Sequence, residues 1–327
     1  MLKKIKTNLR YNSGIIILRL FKEILLEYST IIKHLGEVSK KKKKEKWEAD
    51  ILIRFHAIEK GLSLKNPRIG FGEEKVQILL INILEITQKY GYIENLAKYK
   101  SILDAYFNFN KQNGHQNEKL YNFFIDVYSK IPNKLPFDGG SKVVWKKDIL
   151  ENVNFNFEDF FNNRYSIRNF STESIPFELI QKCFKIAEKT PSACNRQSWR
   201  IYVVRDKKKK KQILEWQGGN RGFSDEIDTV IVVCSDINMY FINERHQPYV
   251  DGALYGMSLI LAFHSKGLGT IPLTLGMLNN KMNLLHSYLD IPKNHIPILM
   301  IGVGQLEESF EVACSSRIPS TDYVQIL

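Results

Sequence analysis

Thr190-Pro191-Ser192-Ala193-Cys194-Asn195-Arg196-Gln197-Ser198-Trp199 is the stretch whose reading decides the fold. Before it, residues 176–189 carry apolar side chains at helical spacing, with Ser174 or a neighbour as a candidate cap. After it, residues 200–205 read as a strand, with Ile201, Tyr202, Val203 and Val204 in succession. The stretch is therefore a polar turn from helix to strand. Farther out, residues 157–163 predict a short helix and residues 228–235 a buried strand, Thr229-Val230-Ile231-Val232-Val233-Cys234. Residues 251–266 form a long, nearly all-apolar helix that should be buried on most sides and end at Gly267. Residues 279–289 read as helix and 296–303 as another buried strand. Helices packed on a small central sheet predict an α+β, three-layer domain.

Upstream the pattern changes. Residues 14–37 carry Ile17, Leu18, Phe21, Ile24, Leu25, Tyr28, Ile31 and Ile32 at helical spacing, which predicts an amphipathic helix. A basic run follows, Lys40 to Lys44 and Lys46, then a second helical pattern that should stop at Gly61. Asn66 to Gly72 has loop chemistry. Helices are expected at about 74–90 and 93–109, joined at Gly91, and again near 119–130. Between 132 and 156, Pro132, Pro136, Gly139 and Gly140 leave no clear period. The expected organisation is a helical region over 1–131, a linker over 132–156 and a second domain over 157–327.

The chain of 327 residues has a net charge of +12, with 44% hydrophobic and 25% charged residues, so it is globular and long enough for two cores. The charge is uneven. Residues 1–150 hold 28 Lys+Arg against 16 Asp+Glu, whereas residues 151–327 hold 19 of each. Cys183, Cys194, Cys234 and Cys314 show no zinc-binding or redox spacing, so no metal is expected and a reducing, cytoplasmic compartment is the simple inference. The apolar run near the N-terminus is broken by Arg19, Lys22 and Glu23, too short for a membrane span.

Four segments carry the chemistry. They are Arg164-Tyr165-Ser166-Ile167-Arg168-Asn169-Phe170, the turn at 190–199, Lys266-Gly267-Leu268-Gly269-Thr270-Ile271-Pro272-Leu273, and Ser316-Arg317-Ile318-Pro319. In this order they resemble the nitroreductase family: an R-x-S-x-R-x-F opening, a P-S-x-x-N-x-Q-x-W turn, a G-L-G-T loop and a closing basic motif. The resemblance covers roughly residues 157–327. It departs at Ser198, where the commonest family pattern has Pro.

The resemblance implies a nitroreductase-like three-layer domain with a central, mostly antiparallel sheet. It also implies an FMN cofactor at a homodimer interface, with NAD(P)H as co-substrate. Arg164, Ser166 and Arg317, with Ser316 beside it, would hold the phosphate, to which Arg offers a rigid donor fork. Arg168 would stand near the pyrimidine side of the ring, where a cation stabilises reduced flavin. Pro191, Ser192, Asn195 and Gln197 would lie on a turn that reaches the partner's flavin. Asn195 offers a donor and an acceptor for an imide edge or ribityl hydroxyls. The G-L-G-T loop would let backbone approach the ring, and the backbone at Pro272, Leu273 and Thr274 would face its reactive nitrogen. The flavin would carry the chemistry, so no protein nucleophile is expected, and His264 should be structural.

Each segment also has a plainer reading. Arg164 and Arg168 could be exposed basic residues, Asn195 a turn residue bonded to its own backbone, and Gly267 and Gly269 a helix cap and a strand start. Upstream, Arg54 to Leu64 with Pro67 to Gly72 resembles the N-terminal extension of nitroreductase-like proteins found among surface-polysaccharide genes. His56, Glu59 and Lys60 share a helix face there, as an ion-pair face or as part of a substrate pocket over the flavin. The basic run could be a solvated linker or could contact anionic lipid; nucleic acid is not expected, since no binding module accompanies the charge. The competing functional class is a flavin-holding or scaffolding protein in a membrane-linked assembly.

Overall fold

The computed structural model describes residues 13–34, 44–64, 66–91, 96, 99–131, 139–141, 155–310, 312 and 319–327. Five helices come first: α1 (Ser13–His34), α2 (Lys44–Leu62), α3 (Glu73–Tyr90), α4 (Lys100–Gln112) and α5 (Glu118–Ser129). Helices α2 to α5 enclose their own core, built on Phe55, Leu79, Leu80, Ile83, Tyr106 and Phe124. Each fully buried aliphatic or Phe side chain there contributes about 1.5–3 kcal/mol of transfer free energy. Helix α2 does not stop at Gly61 as expected. It continues to Leu62, and Gly61 is needed for space, because a Cβ there would collide with the Phe71 ring. Gly91, with φ 76°, does close α3.

The second unit runs α6 (Phe157–Asn162), β1 (Phe170–Ser171), α7 (Phe177–Ala187), β2 (Trp199–Val204), α8 (Lys207–Gln217), β3 (Thr229–Asp236), α9 (Gln247–His264), β4 (Leu268–Thr274), α10 (Asn279–Tyr288) and β5 (His295–Leu306). All paired strands are antiparallel. β3 lies between β2 and β5, β4 flanks β5 on its other side, and β1 pairs the last two residues of β5. Side-chain alternation along β3 makes the three layers. Val230, Val232 and Cys234 meet α8 and α10 through Ile213, Leu214 and Leu285. Ile231 and Val233 meet α7 and α9 through Ile180, Cys183, Leu259 and Phe263. This is the α+β, three-layer, antiparallel architecture expected.

Three further elements differ from the sequence reading: the helix expected over 93–109 is α4, which starts only at Lys100, with Tyr99 at its N-cap, and runs to Gln112; the other two are α8 and β4. Helix α8 was not anticipated: five of its first residues are Lys, and its stop signals are caps rather than periodicity. Asp206 accepts the Lys209 amide at 2.8 Å, and Gly218 closes the end at φ 77°. The stretch read as a G-L-G-T loop is instead the start of β4. Pro272 is tolerated within it because, among the described residues, β5 is the one strand paired at that position and the Ser166 bridge reaches β4 only at Thr270.

Candidate functional site

The Arg164 segment docks onto the start of β4. Ser166 forms an isolated parallel bridge with Thr270, and the Ile167 amide donates to the Thr270 carbonyl at 2.9 Å. Arg164 is half-buried, and its Nε is buried without a hydrogen-bond partner among the described residues. A buried guanidinium nitrogen left unbonded costs free energy that an anion would recover. Arg168 is exposed, and its guanidinium donates to the Ser166 carbonyl at 3.4 Å. Arg164 and Ser166 offer neighbouring donors at the start of β4 that suit a phosphate, and the orphaned Arg164 nitrogen is the observation that fits FMN to them. Ser316 and Arg317 lie outside the described residues.

On β4, Pro272 is half-buried and Thr274 exposed, but the Leu273 side chain belongs to the core and leaves only its backbone for a ligand. The Thr274 carbonyl accepts from Gln217 Nε2 at 3.0 Å. Gly269 corrects the expectation of a bare backbone for the flavin. A Cβ there would stand 2.9 Å from Leu306, 3.1 Å from Phe170 and 3.2 Å from Ile167, so the protein's own side chains fill that face. Gly267, at φ 71°, follows the end of α9, in agreement with its plainer reading.

The 190–199 turn is a strained platform. Cys194, Asn195 and Gln197 all adopt left-handed backbone, at φ 50°, 52° and 49°. Such conformations cost about 1–2 kcal/mol for an ordinary residue and persist only where the surroundings impose them. Pro191, Asn195 and Gln197 are exposed and Ser192 half-buried. The Ser192 hydroxyl accepts from the Gln197 amide at 2.9 Å, and Asn195 Oδ1 accepts from Gln197 Nε2 at 3.3 Å. Asn195 thus bonds a neighbouring side chain rather than its own backbone.

What imposes the turn was not visible in the motif. Arg196 is buried, stacks 4.7 Å from the Tyr240 ring centroid and donates to the carbonyls of Ala193 and Met239. It also forks onto Glu244 at 2.8 and 2.7 Å. Burial raises the Glu244 carboxyl, but hydrogen bonding and charge from Arg196 outweigh it and hold the carboxyl below its usual value. Asp251 accepts the Ala193 amide at 3.2 Å, Gln247 Nε2 at 2.8 Å and the Tyr240 hydroxyl at 2.7 Å. Burial pushes the Tyr240 phenol well up, so it donates as a neutral group. Tyr240 also meets the Ser198 hydroxyl, which is 2.9 Å from Ser235; Ser198 in place of the family's usual Pro joins this network. The N-terminal region braces the same place, since Ala49 of α2 packs with Met239 and Tyr240.

The two halves of the site lie at opposite ends of the sheet within one chain. Ser166 bridges Thr270, which pairs Val303, which pairs Thr229; the turn leads into Trp199, which pairs Ser235. Six residue steps along β3 lead from Thr229 to Ser235, roughly 20 Å at strand spacing. His56, Glu59 and Lys60 join neither half. With Gly140 and Ser141 they line a separate hollow whose described walls all precede residue 142, and Glu59 accepts the Gly140 amide at 3.2 Å. Burial raises the Glu59 carboxyl. His264 is structural: its Nε2 donates to the Phe160 carbonyl at 2.9 Å. No group of metal-binding side chains occurs among the described residues.

The comparisons with known proteins agree with this geometry. Residues 162–220, which span the Arg164 segment and the turn, match the model of the nitroreductase family. A protein of Archaeoglobus fulgidus provisionally named NADH dehydrogenase/NAD(P)H nitroreductase is 30% identical over 145 residues, covering 43% of this chain and 80% of its own length. The FMN reductase [NAD(P)H] of Bacillus subtilis is 26% identical over 155 residues, covering 42% of this chain and 61% of its own. Among solved structures, the NfrA1 nitroreductase of B. subtilis aligns at TM-score 0.47 with 20% identity, covering 52% of this chain and 73% of the other. With the 30% relative covered over four-fifths of its length and the paired motifs in place, the chain belongs to the nitroreductase family.

Proposed function

We propose that the protein is an FMN-dependent oxidoreductase that takes electrons from NAD(P)H and passes them to a small-molecule acceptor. The observation that carries the reading is the orphaned, buried Nε of Arg164 beside the Ser166–Thr270 bridge. Bound FMN would supply hydride acceptance and electron transfer. Arg164 and Ser166, with Ser316 and Arg317, would bind its phosphate, and Arg168 would lend positive charge beside the ring. The backbone of Pro272 to Thr274 would line the ring, and with the redox chemistry carried by the flavin no protein nucleophile is needed. Similarity to the B. subtilis FMN reductase [NAD(P)H] supports the cofactor pair.

The active form in this reading is a homodimer. Because Asn195 and Arg164 stand at opposite ends of one sheet, the turn of one protomer, with Pro191, Ser192, Asn195 and Gln197, would complete the flavin site of its partner. A cytoplasmic setting rests on the free thiols of Cys183, Cys194 and Cys234, and no described helix is long and apolar enough to cross a membrane. A role in surface-polysaccharide metabolism rests only on the resemblance of the segment from Arg54 to Gly72.

Steady-state kinetics test the proposal. NAD(P)H oxidation with a dye that accepts electrons from the reduced flavin should give parallel double-reciprocal lines, the signature of a ping-pong cycle. Flavin held without any NAD(P)H oxidation would overturn it in favour of a scaffolding role.

A further inference from the structure

A cavity of about 360 Å³ lies between α1 and the segment that follows β4, and the flavin reading does not use it. Its size falls in the range of small-molecule sites, about 300–1,000 Å³. One wall is a single face of α1, where Glu23, Glu27 and Thr30 follow at i, i+4 and i+7. The floor is apolar and adaptable, with Met277, Met282, Ile296 and Ile298. An apolar floor under a few convergent polar groups is the composition of a ligand site rather than of a packing defect.

The acidic wall is held in place. Glu23 accepts the Asn279 amide at 2.9 Å, and Glu27 accepts the Tyr249 hydroxyl at 2.8 Å. Burial and the neighbouring Glu27 push the Tyr249 phenol well up, so it donates as a neutral group. Across the cavity, His286 donates its Nδ1 proton to the Ile291 carbonyl at 3.0 Å, and burial lowers its pKa, which keeps the ring neutral. The Lys293 ammonium is tied to Asn283 Oδ1 at 2.6 Å.

We infer that this cavity binds an organic cation, an amine on an apolar, ring-sized body, with the ammonium on Glu27 and Glu23 and the body on Met277, Met282 and Ile298. The acidic wall comes from outside the segment that matches the family, so the N-terminal region builds a site of its own on the domain. The inference stands apart from the flavin reading.

Calorimetry on the full chain tests it with three probes on one scaffold: 2-phenylethylamine, 2-phenylethanol and phenylacetate. The amine should bind saturably, with the alcohol and the carboxylate about tenfold weaker or more. Glu27→Gln should weaken the amine by a similar factor, and Met282→Trp, which fills the floor, should abolish binding. No binding of the amine, equal binding of all three probes, or amine binding unchanged in both variants would overturn the inference. Visible absorbance of each sample separates the two readings. A colourless protein that binds the amine with these variant effects contradicts the flavin and supports the cavity.

Discussion

Arg196 and Glu244 are joined by two parallel hydrogen bonds, at 2.8 and 2.7 Å, directly behind the turn that presents Asn195. The Arg196 side chain is fully buried and Glu244 is 24% exposed, so the arginine depends on this carboxylate to offset its desolvation. The pair is the anchor that keeps Cys194, Asn195 and Gln197, which flank Arg196, in left-handed backbone.

Glu244→Ala should therefore destabilise the protein by about 3 kcal/mol, since it strands a buried guanidinium. Chemical denaturation measures this. A cost below roughly 0.5 kcal/mol, the size of an ordinary surface substitution, would show that the turn is held otherwise.

The same pair sets an acid limb. The folded Glu244 carboxyl lies below the ordinary glutamate value of 4.5, because Arg196 outweighs the effect of burial. Its contribution is therefore complete above pH 4.5 and is lost as pH falls through the lower, folded value. Unfolding free energy against pH should drop less steeply across that acid window in Glu244→Gln than in the parent. Parallel curves would contradict the assignment.

Gly269 lies in β4 against Phe170, Leu306 and Ile167, with a Cβ predicted to fall 2.9–3.2 Å from them. Gly269→Ala should cost about 1–3 kcal/mol by overpacking and should lower the melting temperature. An unchanged melting temperature would mean that this corner of the sheet is looser than its contacts indicate.

Arg164→Ala should weaken FMN binding by about 2 kcal/mol, from loss of a charge-assisted phosphate contact. Titration of apo-protein with FMN reads it. If the site is shared across a dimer, mixing Arg164→Ala chains with Asn195→Ala chains should restore about one intact site per mixed dimer. A stable, flavin-loaded monomer in sedimentation would contradict sharing.

Helix α1 turns two carboxylates toward the second unit and leaves a row of apolar side chains exposed. Glu23 and Glu27 bind Asn279 and Tyr249, while Ile17, Phe21, Leu25 and Ile32 are each more than half exposed. With the basic run beside it in sequence, α1 should bring the protein to anionic liposomes at low salt and release it as ionic strength rises. Flotation across a salt series measures this. Indifference to anionic lipid at low salt would leave the run as a solvated linker.

The legible parts of the fold are those with local signals. The apolar run of β3, the periodicity of α3 and α5 and the nearly all-apolar stretch of α9 needed no partner to be read. Helix α8 escaped because its first turn is all lysine, and only Ile213, Leu214 and, partly, Trp216 pack on the core, too few to show a period. Strand β4 was read as a loop because glycines and Pro272 mimic turn chemistry within a strand. At the site, Arg164, Ser166 and the Asn195 turn were named from motifs. Arg196 was passed over because its partner is 48 residues away. The orientation of α1 was equally hidden, since its contacts to Asn279 and Tyr249 span 256 and 222 residues.

The most direct measurement of the central claim is the visible spectrum of the purified full chain, with the heat-released cofactor identified by chromatography. The protein should be yellow, release FMN rather than FAD, and bleach on anaerobic addition of NADH or NADPH. A colourless protein that FMN cannot reconstitute would contradict the account.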